Sequence, residues 1–355
     1  MMITICIVAL FVLVNFAEPS ENCNTRFERK YKLKNCSCSI PVKQLPKNCI
    51  DIRKEIRKNE WERTYGKVHL AIIAVGPVGI ILNTLLVLVM LRDPMKILHR
   101  GAWITILNLS LSDTMACSAR VASSIIVKWW DIEVNNKSKI YTEFFWQFGV
   151  VGSFFFLTLL TVQTFMIVKY PIRSRLVMTR RRVSLIIGIV WVMSLALALP
   201  EIDDISKDKR WYFFVATISV LELATIIQII MKTFIIKEIL SPREMMTNDT
   251  RNKQQREVAK TVILLNAILI VTALPYFIAK QVEYIHRLNG GSDDLKVKLP
   301  YYYEPIAMIN FVANPLVYSL RLKDYRKSLL HLFFRLKKNR VPSAKHSKKT
   351  MTTNM

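Results

Sequence analysis

Apolar residues fill long stretches of this chain, and charge falls mostly in the gaps between them. After residue 66, seven runs are long enough for bilayer-spanning helices, near 68–91, 102–127, 141–168, 183–200, 212–236, 258–280 and 301–320. About 20 predominantly apolar residues suffice to cross the hydrocarbon. The fourth run, VSLIIGIVWVMSLALALP, holds no charge, and the first is interrupted only by His69. The pattern predicts an all-α membrane protein, a seven-transmembrane helix bundle over 67–320. A basic segment follows at 321–338. Its apolar positions Leu322, Tyr325, Leu329, Leu330, Phe333 and Phe334 recur at helical spacing among Lys323, Arg326, Lys327, Arg335 and Lys337. That arrangement predicts an amphipathic helix on the membrane surface, followed by a disordered tail over 339–355.

The chain opens on a further apolar stretch, ITICIVALFVLVNFA. It is short for a span and starts at the second residue, which fits a signal peptide over 1–17; an uncleaved anchor is the alternative. Residues 18–66 then form an extracellular, cysteine-containing segment. Composition sharpens this picture. The chain is 52% hydrophobic and yet has a formal charge of +25, a combination expected when apolar residues lie in spans and basic ones in short loops. Nucleic acid is not an expected partner, because the basic residues punctuate apolar runs instead of interleaving with aromatics on a soluble face. With the N-terminus outside, the loops at 92–100, 169–182 and 237–257 and the tail from 321 face the cytosol. The loop KYPIRSRLVMTRRR has six Lys/Arg and no acid, and the tail has eleven against one. The outer loops mix signs. The positive-inside rule therefore predicts a multi-pass plasma-membrane protein with an extracellular N-terminus. The basic stretch DIRKEIRKNEWERTYGK before the first span runs against that rule, and a signal peptide resolves the conflict by committing it to translocation.

Cysteine placement agrees with this orientation. Cys23, Cys36, Cys38 and Cys49, four of the six in the chain, crowd into the segment assigned to the oxidising side. Cys36 and Cys38 are too close to bridge each other without strain, so two pairings remain: 23–36 with 38–49, or 23–38 with 36–49. Asn136-Lys137-Ser138 is a glycosylation sequon in an outer loop, and Asn35-Cys36-Ser37 is a second, weaker one.

Charge inside hydrocarbon is costly and marks function by default. Asp113 sits seven residues before Arg120 in LNLSLSDTMACSAR, two helical turns along one face, with Arg120 nearer the outside. Glu143 opens the third run, Glu222 lies within the fifth, and Glu304 starts the seventh. Snorkelling to headgroups is the simpler account of Glu143 and Glu304, and a buried structural pair the simpler account of Asp113 and Arg120.

Several motifs then fall in order along consecutive runs. Asn83 stands in GIILNTLLVLVML, Asp113 closes NLSLSD, Trp191 lies in the fourth run, Pro275 in VTALPYF, and Asn314-Pro315-Leu316-Val317-Tyr318 in the last. Over residues 68–335 the chain resembles the rhodopsin-like G-protein-coupled receptors. The resemblance implies a receptor that binds an extracellular ligand within the bundle and signals to heterotrimeric G proteins, with arrestin as a second cytoplasmic partner. In the family, the Asn-Pro defect lets the inner end of the seventh helix rearrange on activation. The resemblance also implies an allosteric sodium ion held by Asp113, Ser153, Asn310 and Asn314, and no other cofactor.

Departures from the family pattern are concentrated at both ends of the third run. Its Asp-Arg-Tyr motif falls on Gln163, Thr164 and Phe165, and the acidic partner of that Arg on Gln255. The aromatic switch of the sixth run is Ala273, the cysteine tethering the outer end of the third is Lys139, and the fifth run lacks its Pro. Trp146 occupies the position where amine receptors carry an Asp, which disfavours a monoamine. The expected ligand pocket is lined by Arg120, Glu143, Trp146, Glu222 and Glu304. In it Arg120 takes a carboxylate or phosphate, or pairs with Glu143, and the acids take a basic peptide. The runner-up reading is a receptor-like decoy or partner subunit with weak coupling. A transporter predicts internal symmetry and interrupted helices in matching halves, which the chain does not show, and no metal or phosphate-loop motif points to an enzyme.

Overall fold

A computed structural model describes residues 47–92, 101–129, 136–202, 207–239, 260, 263–264, 267–289, 294–321, 327–328 and 330. Its elements are helices: α1 (Lys47–Arg92), α2 (Gly101–Trp129), α3 (Asn136–Lys169), the short α4 (Pro171–Val177), α5 (Arg180–Ala198), α6 (Lys207–Ile239), α7 (Leu274–Leu288) and α8 (Asp294–Arg321), with a 3₁₀ turn at Leu199–Glu201 after α5. Among the described residues there is no strand. Cys23, Cys36, Cys38, Asn35 and Gln255 lie outside the described residues, as does nearly all of 321–338. The helix expected from residue 68 begins at Lys47 and passes through residue 66 without a break.

Five stretches are long and apolar enough to cross a membrane: Thr64–Arg92, Ser138–Lys169, Arg180–Glu201, Arg210–Glu238 and Ala267–Leu288. α2 and α8, at 29 and 28 residues, are also long enough. Both carry buried polar residues, among them Ser110, Ser112, Asp113 and Arg120 on α2 and Glu304, Asn310 and Asn314 on α8. On α5, Val183, Ile187, Ser194 and Ala198 form the buried stripe, while Leu185 (65% exposed) and Val192 (66%) stand on the outer surface. An aliphatic exterior of this kind is stable only against lipid. The chain is a multi-pass membrane protein.

Helix neighbours form a closed ring, with α1 against α2 and α8, α2 against α3, α3 against α5 and α6, and α6 against α7, which packs on α8. α3 is the hub, and its Phe156, Leu157 and Leu160 are essentially inaccessible. Close approach of α2 and α3 requires glycine. A Cβ on Gly149 would come within 2.7 Å of the Ala116 backbone nitrogen, and one on Gly152 within 2.9 Å of the Ser112 hydroxyl. Small residues at such contacts supply the packing that lipid, itself apolar, does not drive.

Proline shapes two helices. In the sixth span, helical residues 267–272 meet a turn at Ala273, and α7 begins just beyond it with Pro275 in its first turn. α8 contains Pro300, Pro305 and Pro315. Proline has no N–H, so Pro315 frees the carbonyl four residues earlier, that of Phe311. Asn83 closes this gap: its Nδ2 donates to Phe311 O at 2.9 Å and to Gly79 O at 3.0 Å. One amide thus ties α1 to the defect in α8, in a site sealed from solvent. Asn83→Ala is expected to cost about 1–3 kcal/mol, the penalty of an unsatisfied buried group. Thermal unfolding in detergent measures this, and an unchanged midpoint would refute the assignment.

Candidate functional site

A polar column runs through the interior between α2, α3 and α8. At one end of it, Arg120 of α2 meets two carboxylates from different helices. Its Nη1 donates to Glu143 of α3 at 2.7 Å, and its Nε pairs with Glu304 of α8. The guanidinium also lies over the Trp146 ring, 4.6 Å from the centroid, where the ring's electron-rich face favours a cation. Three helices therefore converge on one side chain. The position of Glu304 follows from the pitch of α8, which turns Glu304, Ala307, Met308 and Phe311 inward, all buried. Glu143 is the most accessible member, with its side chain 31% exposed against 9% and 4% for Arg120 and Glu304.

A second ionic group stands beside the first on α7. Lys280 and Arg287 both bind the Glu283 carboxylate, at 3.1 and 2.9 Å. Lys280 also lies over Tyr284 and Tyr301 (5.4 and 5.6 Å), and Arg287 over Trp211 (5.2 Å). This half of the bundle is thus a layer of paired charges set among aromatic rings.

Trp146 forms the floor of the Arg120 cluster. It packs edge-on against Tyr276 and Phe311, at 6.5 and 5.8 Å between centroids. Beneath it is a small void, bounded by Ala273, Phe277, Phe154, Ser153 and Asn310 among others, with room for about one water molecule. Ala273, where the family has an aromatic ring, leaves part of that space open.

Below the void, Asn314 Nδ2 donates to Asp113 Oδ2 at 2.6 Å, and the Ser153 hydroxyl donates to the same carboxylate. Asp113, Ser153, Asn310 and Asn314 are all buried. The remaining Oδ1 atoms of Asp113, Asn310 and Asn314 have no hydrogen-bond partner among the described residues. Such a group, rich in oxygen acceptors and short of donors, fits a hard cation. Tyr318 lies deeper and is 1% exposed.

The other expected site residues take separate positions. Trp191 Nε1 donates to Asn108 Oδ1 at 2.9 Å, joining α5 to α2. Glu222 stands apart from the Arg120 cluster, half-buried on α6 and bonded to Gln281 of α7. Gln163 and Thr164 are buried toward the C-terminal end of α3. Thr164 Oγ1 donates to its own helix at Leu160 O (2.7 Å), and neither amide atom of Gln163 has a partner among the described residues. Asn136 and Cys49 fall on the described backbone of α3 and α1. The residues that spacing did not single out are Tyr276, Phe311 and the α7 group. For the last, the signal was present: Lys280, Glu283 and Arg287 stand at intervals of three and four, which places them together on a helix.

The order of these features along the bundle is that of one family. The sequence pattern of the 7 transmembrane receptor (rhodopsin family) matches residues 82–203 and 202–318. The chain belongs to this family. It is a divergent member of it, a group of receptors rather than enzymes. The chain is 24% identical to the Gq-coupled rhodopsin of Mizuhopecten yessoensis, over 76% of its own length and 59% of that protein. It is 25% identical to somatostatin receptor type 5 of Bos taurus (74% of this chain, 73% of the relative). It is 22% identical to the human neuropeptides B/W receptor type 2 (74% and 83%). The chain thus spans about three-fifths of the length of the Gq-coupled rhodopsin.

In this receptor Arg120 neutralises two buried acids, so its removal leaves both without their cation. Arg120→Met is expected to cost about 3–5 kcal/mol, seen as less folded protein and a lower melting temperature in detergent. Adding Glu304→Gln is expected to recover part of that loss. Equal melting temperatures for the single and double variants would show that the two side chains are not coupled.

Proposed function

We propose that this receptor faces outward at the plasma membrane with an extracellular N-terminus, binds its ligand at the outer end of the bundle, and signals to heterotrimeric G proteins. Arrestin is the second cytosolic partner in this reading. The observation that carries it is the polar column itself: ionic at the outer end, aromatic below, and hydrogen-bonded through Asp113 and Asn314 to the helix that contains Pro315. A change in the outer ion pairs has a packed route to a helix already weakened by a missing backbone bond.

The ligand class follows from which charge can be reached. Glu143 is the accessible member of the outer cluster, while the Arg120 guanidinium is enclosed by two acids. A ligand carrying a basic group therefore meets Glu143 first and competes with Arg120 for it. Neuropeptides B/W receptor type 2, similar to this chain, is named for peptides. A basic peptide suits this chain on the same chemistry.

Sodium is the fitting cation for the acceptor group. Asp113 would supply its charge, and Ser153, Asn310 and Asn314 neutral oxygens. Holding α2, α3 and α8 together, the ion would favour the resting arrangement.

A second reading, a decoy or partner subunit that couples weakly, draws on Gln163 and Thr164, which carry no charge where the family pattern has Asp and Arg. Nucleotide exchange by a panel of G proteins, with the full chain in lipid nanodiscs, separates the two. The receptor reading expects exchange with at least one G protein. It also expects the basal rate to rise when sodium is replaced by a bulky organic cation, and that sensitivity to disappear in Asp113→Asn. No exchange with any G protein would favour the decoy, and a basal rate indifferent to sodium would remove the ion from the account.

A further inference from the structure

Glu222 of α6, expected in the ligand pocket, belongs to neither ionic group. Glu143, Glu283 and Glu304 each pair with a cation, whereas no cation pairs with Glu222 among the described residues. Its carboxyl bonds to Gln281 of α7, and Gln281 Nε2 also reaches the Ser219 hydroxyl at 3.5 Å, a long contact. Ser219 is exposed and Glu222 half-buried. Beside them Leu223 (58% exposed) and Ile226 (53%) are open aliphatic surface. Acid, amide and hydroxyl thus form a small polar island on the lipid-facing seam between α6 and α7.

Depth makes this island costly. Within the membrane-crossing stretch Arg210–Glu238, Glu222 lies about 18 Å from the Arg210 end and about 24 Å from the Glu238 end. The hydrocarbon is about 30 Å thick, so the carboxyl stands near its middle. Lipid headgroups and sterol hydroxyls sit at the interface and do not reach it. A glutamate side chain lacks the long stem that lets Lys or Arg snorkel outward. A carboxyl group can take more hydrogen bonds than Gln281 gives it, and lipid tails supply none. At that depth the missing bonds can come from a polar group on another membrane helix.

The surface around the island has the form such a helix requires. Ala216, Ser219, Leu223, Ile226, Ile230 and Thr233, all exposed, recur at alternating intervals of three and four, the spacing of a left-handed helix pair. Ala216 and Ser219 are small enough for close backbone approach. We infer that this seam is a self-association surface, on which a second copy of the chain packs α6 against α6 and supplies hydrogen bonds to Glu222. Two copies inserted the same way are related by a twofold axis along the membrane normal, so like residues meet at like depth. The donors Ser219 and Gln281 of each copy then arrive at the level of the other's Glu222, and the contact is made twice. The inference needs only that the chain spans the membrane, and it stands apart from the receptor reading.

The test uses the full chain, labelled with a donor or an acceptor fluorophore, mixed and reconstituted into phosphatidylcholine liposomes over a range of lipid-to-protein ratios. Energy transfer that falls as lipid dilutes the protein is expected. Glu222→Leu is expected to weaken association about tenfold, the combined effect of two symmetry-related bonds of the strength seen between membrane helices. Glu222→Gln, which keeps a hydrogen-bonding group, should retain most of the association. Ser219→Trp, at an exposed position, should abolish it by bulk while leaving the melting temperature unchanged. Monomers at every ratio, or undiminished association in either Glu222→Leu or Ser219→Trp, would overturn the proposal. So would association that appears only when cholesterol is added to the liposomes, which would assign the island to the sterol.

Discussion

Every polar group in this bundle must find its partner inside the bundle, because hydrocarbon offers none. The bond from Asn83 to Phe311 O shows the constraint at its narrowest. Pro315 removes one backbone donor from α8, and a side chain from α1 supplies a replacement. Without that amide the defect would expose a carbonyl in a dry site, and the helix would have to bend elsewhere to hide it. The hydroxyl residues obey the same rule locally. Thr114, Thr161, Thr164, Ser194 and Thr225 each donate to the carbonyl four residues earlier on their own helix. Polar residues can thus sit in a span at little cost, leaving the amides and acids to join helices.

Those inter-helix bonds divide the molecule by depth. Toward the Arg120 end the connections are ionic: Arg120 joins α2 to α3 and α8 through Glu143 and Glu304. In the middle they are hydrogen bonds, Asn108 to Trp191 and Asp113 to Asn314. A tether between the outer end of α3 and the rest of the bundle is a covalent bond in the family pattern. Here Lys139 stands at the position of that cysteine, and the Arg120–Glu143 pair crosses between α2 and α3 nearby. An ion pair can exchange partners, whereas a disulfide cannot without redox chemistry. This end of α3 is consequently held by a bond that can exchange partners.

Much of this was legible from residue order. Apolar run length gave the spans, because the bilayer fixes how many residues a helix needs. Asn83, Asp113, Trp191, Pro275 and Asn314-Pro315 were visible because each is a polar residue or a helix breaker in a setting that tolerates few. The placement of Glu143 and Glu304 around Arg120 was half legible. Sequence put all three near one membrane face, but which acid pairs with Arg120 depends on how α3 and α8 rotate, and both do. Glu222 shows the limit. Its depth was readable, but its direction was not, and the rotation of α6 sets it beside Gln281 instead of in the cluster. The start of α1 at Lys47 was hidden for another reason. Its first turns are polar, so hydropathy ends near 68 while the backbone hydrogen bonds continue.

The inner end follows from the same reasoning with the charges removed. Where the family pattern places an arginine latch, Thr164 bonds to its own helix and Gln163 carries no charge. What holds α3 to α6 at this level is mainly apolar, with Lys169 of α3 over the Phe234 ring of α6 at 5.9 Å. Phe165 meets Phe234 at 6.3 Å between centroids, and Val168 packs on Ile235, with Ile263 of the sixth span against them. Apolar contact has no preferred partner atom and weakens in proportion to the area uncovered. A latch made of charges instead holds until its geometry is lost. The resistance to parting α3 and α6 therefore grows with the area of ring and aliphatic surface exposed.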